Sequence, residues 1–516
     1  MPVSAELPRL GRPGSRAAEL HFDTGDDQPE DLRLIAYYRF LFLRWLGTLG
    51  AVLIAIAGRG AGALPVIGNP YNMVLLGRML QTSSALVLVG IGFMVLAWVF
   101  MWPYVAQLRV KAVARTFAAW TIPLLFTAPL FTQDIYSYLA QGAIVVQGMD
   151  PYSAGPVQLL GSDNPLARSV PFIWANSPSP YGPVALSIAA SISVMTHDRI
   201  VVAVLAHRIV SLIGLAAAGW AMTHLARRCG VPSAMALWLG LLNPLTVLHL
   251  VGGIHNESIM LGFLLAGTEV GLRGVDRMSP WLITASGILI TCAGLVKVTG
   301  FLALGFVGMA LARTLSGKEW WAITKAGAVE AGLAVATTAV ITWVTDIGLG
   351  WVTGQGGAAS IRSWMSLTTD VGVISGWFGM MLGLGDHTNA ILTITRDVGL
   401  LIAVAFIVRM LFATYNGNTH PIGGLGVGTF VLVILFPVIH PWYMLWAILP
   451  LATWANRAFF RAAVVVYSAL LSFFVLPRGL ALPPGTILTI YVSAVTTFVI
   501  LVGFGWWIVR KIGLVS

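Results

Sequence analysis

The sequence predicts an all-α, polytopic membrane protein, and three observations carry that prediction. Of its 516 residues, 57% are hydrophobic and 10% charged, against roughly 25% charged in soluble globular chains. Apolar runs of the length a helix needs to cross a bilayer, about 20 residues, recur from Tyr38 almost to the C-terminus. Basic clusters fall between those runs at alternate connections. Only helices and closed barrels satisfy the backbone in lipid, and barrel strands would alternate apolar with polar residues, which these runs do not.

The elements follow in order. Residues 1–36, rich in Pro and Gly and carrying Asp23, Asp26, Asp27, Glu30 and Asp31, read as a disordered cytoplasmic tail. No cleavable signal peptide is expected, because the first apolar run begins only near Tyr38. Residues 37–512 then read as a single membrane domain. Spans are predicted over 38–57, 84–102, 116–133, 200–222, 233–250, 257–272, 281–296, 298–312, 322–345, 388–411, 421–439, 443–456, 462–476 and 486–509. Arg109, Lys111 and Arg115 lie after the second span, Arg227 and Arg228 after the fourth, and Arg273 and Arg277 after the sixth. Arg313 with Lys318 and Lys325, then Arg409, Arg457 with Arg461, and Arg510 with Lys511 continue the alternation. With about fourteen crossings, the positive-inside rule puts both termini in the cytoplasm of a plasma-membrane protein.

The short apolar run 183–195 is left out of that count, since including it would put Arg227 and Arg228 outside. It reads as a re-entrant or juxtamembrane helix within a long extracytoplasmic segment, 134–199. A second such segment spans 346–387, with Gly354-Gln355-Gly356-Gly357 and Ser363-Trp364-Met365. Function is therefore expected on the outer face. The net charge of +10 is spread among the connections, which argues for topology rather than nucleic-acid binding. Cys229 and Cys292 suggest neither a disulfide framework nor a metal site. The absence of an evident internal repeat weakens an inverted-repeat transporter.

Asp134 stands just past the run 116–132, where a helix should emerge into water. Asp134, Ser137, Tyr138 and Gln141 share one helical face, while Ile135, Leu139, Ala143 and Val146 share the other, so a helix lying along the membrane surface is expected. An ionised carboxylate there suits proton abstraction from a hydroxyl beside a lipid-borne substrate. The alternative is a plain helix N-cap. The same segment carries Gly148-Met149-Asp150-Pro151-Tyr152 and Ser179-Pro180-Tyr181-Gly182-Pro183. Three further clusters fall at expected outer ends: His255-Asn256-Glu257, Lys297 within Val296-Lys297-Val298, and His440-Pro441-Trp442-Tyr443. His255 and Asn256 are the favoured contacts of the first, against a hydrated turn capped by Asn256; His249 reads as a packing residue. Lys297 is a phosphate ligand if its flanking helices both cross, and a topology charge if they are half-spans. Arg362, in the second outer segment, is a cation with the same possible role, and Arg478 a weaker one. The His440 cluster is either an aromatic belt at a proline turn or a sugar platform.

Residues 134–156, Asn243-Pro244-Leu245 followed by His249 through Glu257, and His440-Pro441-Trp442-Tyr443 resemble the actinobacterial polyprenol-phosphate-mannose-dependent α-1,6-mannosyltransferases of the GT-C superfamily. The similarity spans roughly 35–510. It implies a GT-C fold with extracytoplasmic juxtamembrane helices, and transfer of mannose from polyprenol-phosphate-mannose to the α-1,6-mannan of lipomannan and lipoarabinomannan. By position, Asp134 is then the catalytic base. Lys297, Arg362, His255 and Asn256 are candidates around the donor phosphate; Tyr138, Tyr181, His440, Trp442 and Tyr443 are candidates around sugar and acceptor. Many GT-C families carry a second acidic residue beside the base, whereas this chain has Gln133 and Ile135. A bound divalent metal therefore gains no support, hard cations wanting several oxygen ligands. The partners expected are the lipid donor, a mannosylated glycolipid acceptor and the bilayer. An arabinosyltransferase using a polyprenol-phosphate pentose, or a transporter or flippase of lipid-linked sugars, remain the alternatives.

Overall fold

The computed structural model describes residues 34–66, 77–354 and 361–511. The expected tail up to residue 33, and the Gln355-Gly356-Gly357 stretch, lie outside the described residues. Among the described residues every regular element is helical and none is a strand. Within the described residues, seven helices are long and apolar enough to cross a membrane: Tyr37–Ala61, Leu80–Phe100, Ile200–Arg228, Glu257–Arg277, Glu319–Thr345, Thr388–Tyr415 and Pro484–Ile508. The polytopic all-α reading is thereby borne out.

The other predicted spans fall on short or interrupted helices, and the interruptions have local causes. The helix Val110–Leu124 contains Pro123, and the chain then runs without regular structure through Pro129 to Gln133. Proline lacks the N–H an α-helix needs and pushes the preceding residue out of the helical region. The span predicted over 233–250 breaks after Ser233–Leu239. There Asn243 accepts the Leu245 N–H at 2.9 Å and returns its amide to the Leu239 carbonyl at 3.0 Å. The chain resumes beyond Pro244 as a π-helix, Thr246–Gly252, a geometry frequent at functional sites.

Small residues bring the backbones together. A Cβ built on Gly50 would lie 2.5 Å from the Gly90 carbonyl oxygen, so the first two helices cross in direct backbone contact. Gly214 and Gly262 do the same for Ile200–Arg228 and Glu257–Arg277, where a Cβ on either would lie 2.5 Å from a partner carbonyl oxygen. Toward the far end of this pair, Arg228 bridges Glu269 at 2.7 Å and Asp276 at 2.5 Å, and Arg273 reaches Glu269 at 2.6 Å. The two helices are thus fixed relative to each other along their length. Their opposite ends carry Arg208 and Glu257, which build the site.

The segment after Gln133 folds over that end. The expected helix is present as Asp134–Val146, and its polar face is covered by protein. Both faces are buried: Tyr138 is 3%, Ser137 4% and Gln141 5% exposed, alongside Ile135 and Ala143. The cause is the run 183–195, which forms the helix Pro183–Thr196 and packs across it so closely that a Cβ on Gly142 would meet the Ala189 carbonyl oxygen at 2.5 Å.

Overpacking a close helix contact costs about 1–3 kcal/mol. Gly262→Val is therefore expected to lower the thermal midpoint of the purified protein. Gly332→Val, at a helical glycine where a Cβ would meet nothing within 4 Å, should leave it unchanged. Thermal unfolding in detergent compares the two.

Candidate active site

Two stretches of non-helical backbone meet above the Ile200–Arg228 helix. One is 125–133, which leads into Asp134; the other closes the π-helix and leads into His255. They are joined directly by the Leu130 N–H, which donates to the Gly252 carbonyl at 3.0 Å. Arg208 joins them a second time. Its side chain is buried, and it donates from Nε to Val251 at 3.3 Å, from Nη1 to the Leu125 and Thr127 carbonyls at 3.0 and 2.6 Å, and from Nη2 to Ala128 and Gly252 at 3.0 and 3.4 Å. A guanidinium has five N–H groups, so each has a carbonyl to serve. Both segments also hold a residue in the left-handed region, Phe131 at φ 66° and Ile254 at φ 60°. For bulky or β-branched side chains such a conformation costs on the order of 1–3 kcal/mol and persists only where the surroundings enforce it. For Phe131 the enforcing contact is its N–H bond to the Pro477 carbonyl, 2.8 Å.

Asp134 opens its helix. The Thr132 hydroxyl accepts the Asp134 N–H at 3.0 Å, so no side-chain cap is asked of the carboxylate. Instead Oδ1 accepts from the Trp174 indole N–H at 3.1 Å, and Oδ2 lies 3.7 Å from His255 Nδ1, with 24% of the side chain open. A negative charge in a first helical turn is favourably placed. His255 is 2% exposed, and burial holds its imidazole below the usual range. Glu257 and Asp134 pull the other way without reversing the outcome, while Lys297 adds to it. Burial thus favours the neutral ring.

His255 stacks on Trp442 at 4.0 Å between centroids, and His440 stacks on the same indole at 4.6 Å with the rings 4° from parallel. Burial pushes His440 down to about 4, against the opposing charge of Asp134. His249, expected as a packing residue, is buried and stacks on that indole at 4.8 Å. Trp442 is 5% exposed. Its expected role as a sugar-stacking surface does not fit, because imidazoles already cover the indole.

Lys297 shares this end of the bundle. Its Nζ donates to Glu257 Oε1 at 2.7 Å and sits over the Tyr443 and Trp446 rings at 4.2 and 4.7 Å. Glu257 begins its helix two residues after His255. Tyr138 and Tyr181 meet edge to face at 5.2 Å with their hydroxyls 3.3 Å apart. Burial pushes both phenols up, and the charges of Asp134 and Glu257 act in the same direction on each. Lys297 partly offsets this at Tyr181, which therefore responds to both the carboxylate and the ammonium of the site. Asn256 is buried; its carbonyl receives the Ile259 and Met260 N–H groups, while its side chain makes no capping bond.

Arg362 is not drawn in with these residues. It donates to Asn389 at 2.9 Å in an exposed position. Its neighbour Ser363 donates to the Ile439 carbonyl at 2.5 Å, tying this loop to the residue before His440. Sequence reasoning passed over Arg208 and Trp174, and named Glu257 within its cluster without favouring it as a contact. Arg208 and Glu257 were signalled by charge within or beside apolar runs, where it is costly unless paired. Trp174 had no signal; a turn of the segment 134–199 brings it to Asp134. Together the groups offer an accessible carboxylate held by one indole, a partly open ammonium on an aromatic seat, and neutral imidazoles and phenols able to bond hydroxyls. Among the described residues no three His, Cys, Asp or Glu side chains are grouped as a metal site.

Residues 44–313 match the family described as alpha-(1->6)-mannopyranosyltransferase, N-terminal domain, and residues 368–503 the MptB C-terminal domain. Alpha-(1->6)-mannopyranosyltransferase B of Corynebacterium glutamicum is 57% identical, over 98% of this chain and 92% of that protein. A probable alpha-(1->6)-mannopyranosyltransferase of Mycolicibacterium smegmatis is 42% identical over 84% of this chain and 82% of its own length. The Mycobacterium tuberculosis alpha-(1->6)-mannopyranosyltransferase Rv1459c is 40% identical over 84% and 81%. With its site carried on matched segments and 84–98% of its length aligned to such relatives, the chain belongs to the α-(1→6)-mannopyranosyltransferase family.

Proposed function

We propose that the chain is an inverting mannosyltransferase of GT-C architecture, working on the extracytoplasmic face of the plasma membrane with Asp134 as general base. The donor is polyprenol-phosphate-mannose, and the acceptor is the growing α-1,6-mannan of a lipomannan or lipoarabinomannan precursor. The acceptor's 6-hydroxyl gives its proton to Asp134, and its oxygen bonds to the anomeric carbon on the side opposite the phosphate. The bond from that carbon to the phosphate oxygen breaks, the electron pair leaves with polyprenyl phosphate, and a β donor becomes an α product. Little general-acid help is needed, because the phosphate is already a good leaving group.

One observation carries the reading. The carboxylate nominated from the sequence is accessible, and Lys297 stands with it in one cluster linked through His255 and Glu257. An ammonium has three N–H groups, and Glu257 takes one, leaving others for a phosphate oxygen. His255 Nε2 is buried without a hydrogen-bond partner among the described residues, and a substrate hydroxyl that reaches it would satisfy it. Asn256 stays a candidate through its place beside His255, Tyr138 and Tyr181 through their neutral hydroxyls, and His440 through its edge. Tyr443 acts as the seat of Lys297. Arg362, bonded to Asn389 in an exposed position, is not among the groups clustered around Asp134 and Lys297.

The test uses purified protein, labelled polyprenol-phosphate-mannose and a short α-1,6-mannoside. Wild type is expected to form labelled product, and Asp134→Asn to lose about 10²–10⁴-fold in kcat, the range general-base catalysis supplies. Full activity in that variant, or transfer of arabinose but not mannose, refutes the proposal. Trp174→Phe should lower kcat about 10- to 100-fold by freeing the carboxylate from its charge-assisted bond. Lys297→Met should raise the donor KM and leave the acceptor KM unchanged.

A further inference from the structure

We infer that Arg208 is a positioning residue for mannosyl transfer, and that it binds neither substrate. This rests on Asp134 acting as the base. An arginine inside a membrane span of a phosphate-handling protein would ordinarily be read as a phosphate ligand. The geometry here points elsewhere. All five of its N–H groups face backbone carbonyls, three on the segment that delivers Asp134 and two on the segment that delivers His255. Those carbonyls belong to interrupted helices and lack intrahelical partners, a state that is costly away from water. One planar cation serves both sets, so the two segments keep their register together.

The consequence for chemistry follows from where the bonds fall. Ala128 is six residues before Asp134, and Gly252 three before His255, with Phe131 and Ile254 strained in between. Strained links of that kind hold a shape only while their ends are fixed. Without the clamp, the Leu130–Gly252 bond, the Phe131–His249 ring contact and the Asp134–His255 approach would be left to join the segments, and Asp134 would drift from Trp174 and His255. Misplacement of a reacting group by about 1 Å can cost about 100-fold in rate. A lysine keeps the charge but has three N–H groups at one point, so it cannot reach both segments in the plane that arginine spans.

The experiment compares full-length wild type, Arg208→Lys, Arg208→Met and Asp134→Asn in one detergent or nanodisc preparation. For Arg208→Lys, kcat is expected to fall about 10- to 100-fold, further for Arg208→Met, with donor KM within about threefold of wild type in both. A donor KM that rises while kcat holds would make Arg208 a phosphate ligand and overturn the inference. Unchanged kcat in Arg208→Met would overturn it as well. If Asp134→Asn stays active, the base reading fails independently of Arg208. If Asp134→Asn is inactive while Arg208→Met is not, only the positioning role falls. Should neither Arg208 variant purify as folded protein, hydrogen exchange on wild type decides. The Leu130 and Phe131 amides should exchange as slowly as the core of the Ile200–Arg228 helix, and exchange more than about tenfold faster would overturn the clamp.

Discussion

Five hydrogen bonds from one buried guanidinium hold together the part of this molecule that matters most. Two helices end within the bundle, one after Leu124 and the π-helix at Gly252, and each end leaves carbonyls without intrahelical partners. In an apolar setting such groups must be satisfied or the fold is lost. Arg208, placed by a long unbroken helix, satisfies both sets at once. The chain then turns sharply through Phe131 and Ile254, and the first polar side chains beyond those turns are Asp134 and His255. Broken helices, buried cation and site form one construction.

The charges of the site are arranged so that few are left unbalanced. Lys297 faces Glu257 and two aromatic rings, which supply negative charge and quadrupole on different sides. The imidazoles near Asp134 are kept neutral by burial, so they act as hydrogen-bonding and stacking groups and do not neutralise the carboxylate. Trp442 serves this order by giving His255 and His440 a common surface, and its position within a tight proline turn keeps both rings in place. What stays open are parts of Asp134 and Lys297, the two groups a transfer between hydroxyl and phosphate would use.

Rigidity comes from a different source at each end. Along the helix pair Ile200–Arg228 and Glu257–Arg277, glycines allow backbone contact, and dispersion between closely spaced atoms does the holding. At the far end an Arg–Glu–Asp–Arg network fixes rotation. Among the described residues, the site end has no comparable ion network across this helix pair. There the segment 134–199 packs down instead, the helix Pro183–Thr196 lying across Asp134–Val146 and short turns bringing Trp174 to the carboxylate.

The sequence alone determined the membrane class, the approximate places of the spans, the helix beginning at Asp134 and most of the clustered polar residues. These depend on hydropathy, length and residue type, which are local and additive along the chain. Tertiary structure decided what those residues touch. That the Asp134 helix is covered, that Trp442 has its indole occupied, that Lys297 is paired with Glu257 and that Arg362 faces Asn389 all depend on contacts between segments tens to hundreds of residues apart. Arg208 shows the boundary most clearly. Its charge within an apolar run was visible and demanded partners, but five carbonyls from two broken helices could be found only once the backbone had been folded around it.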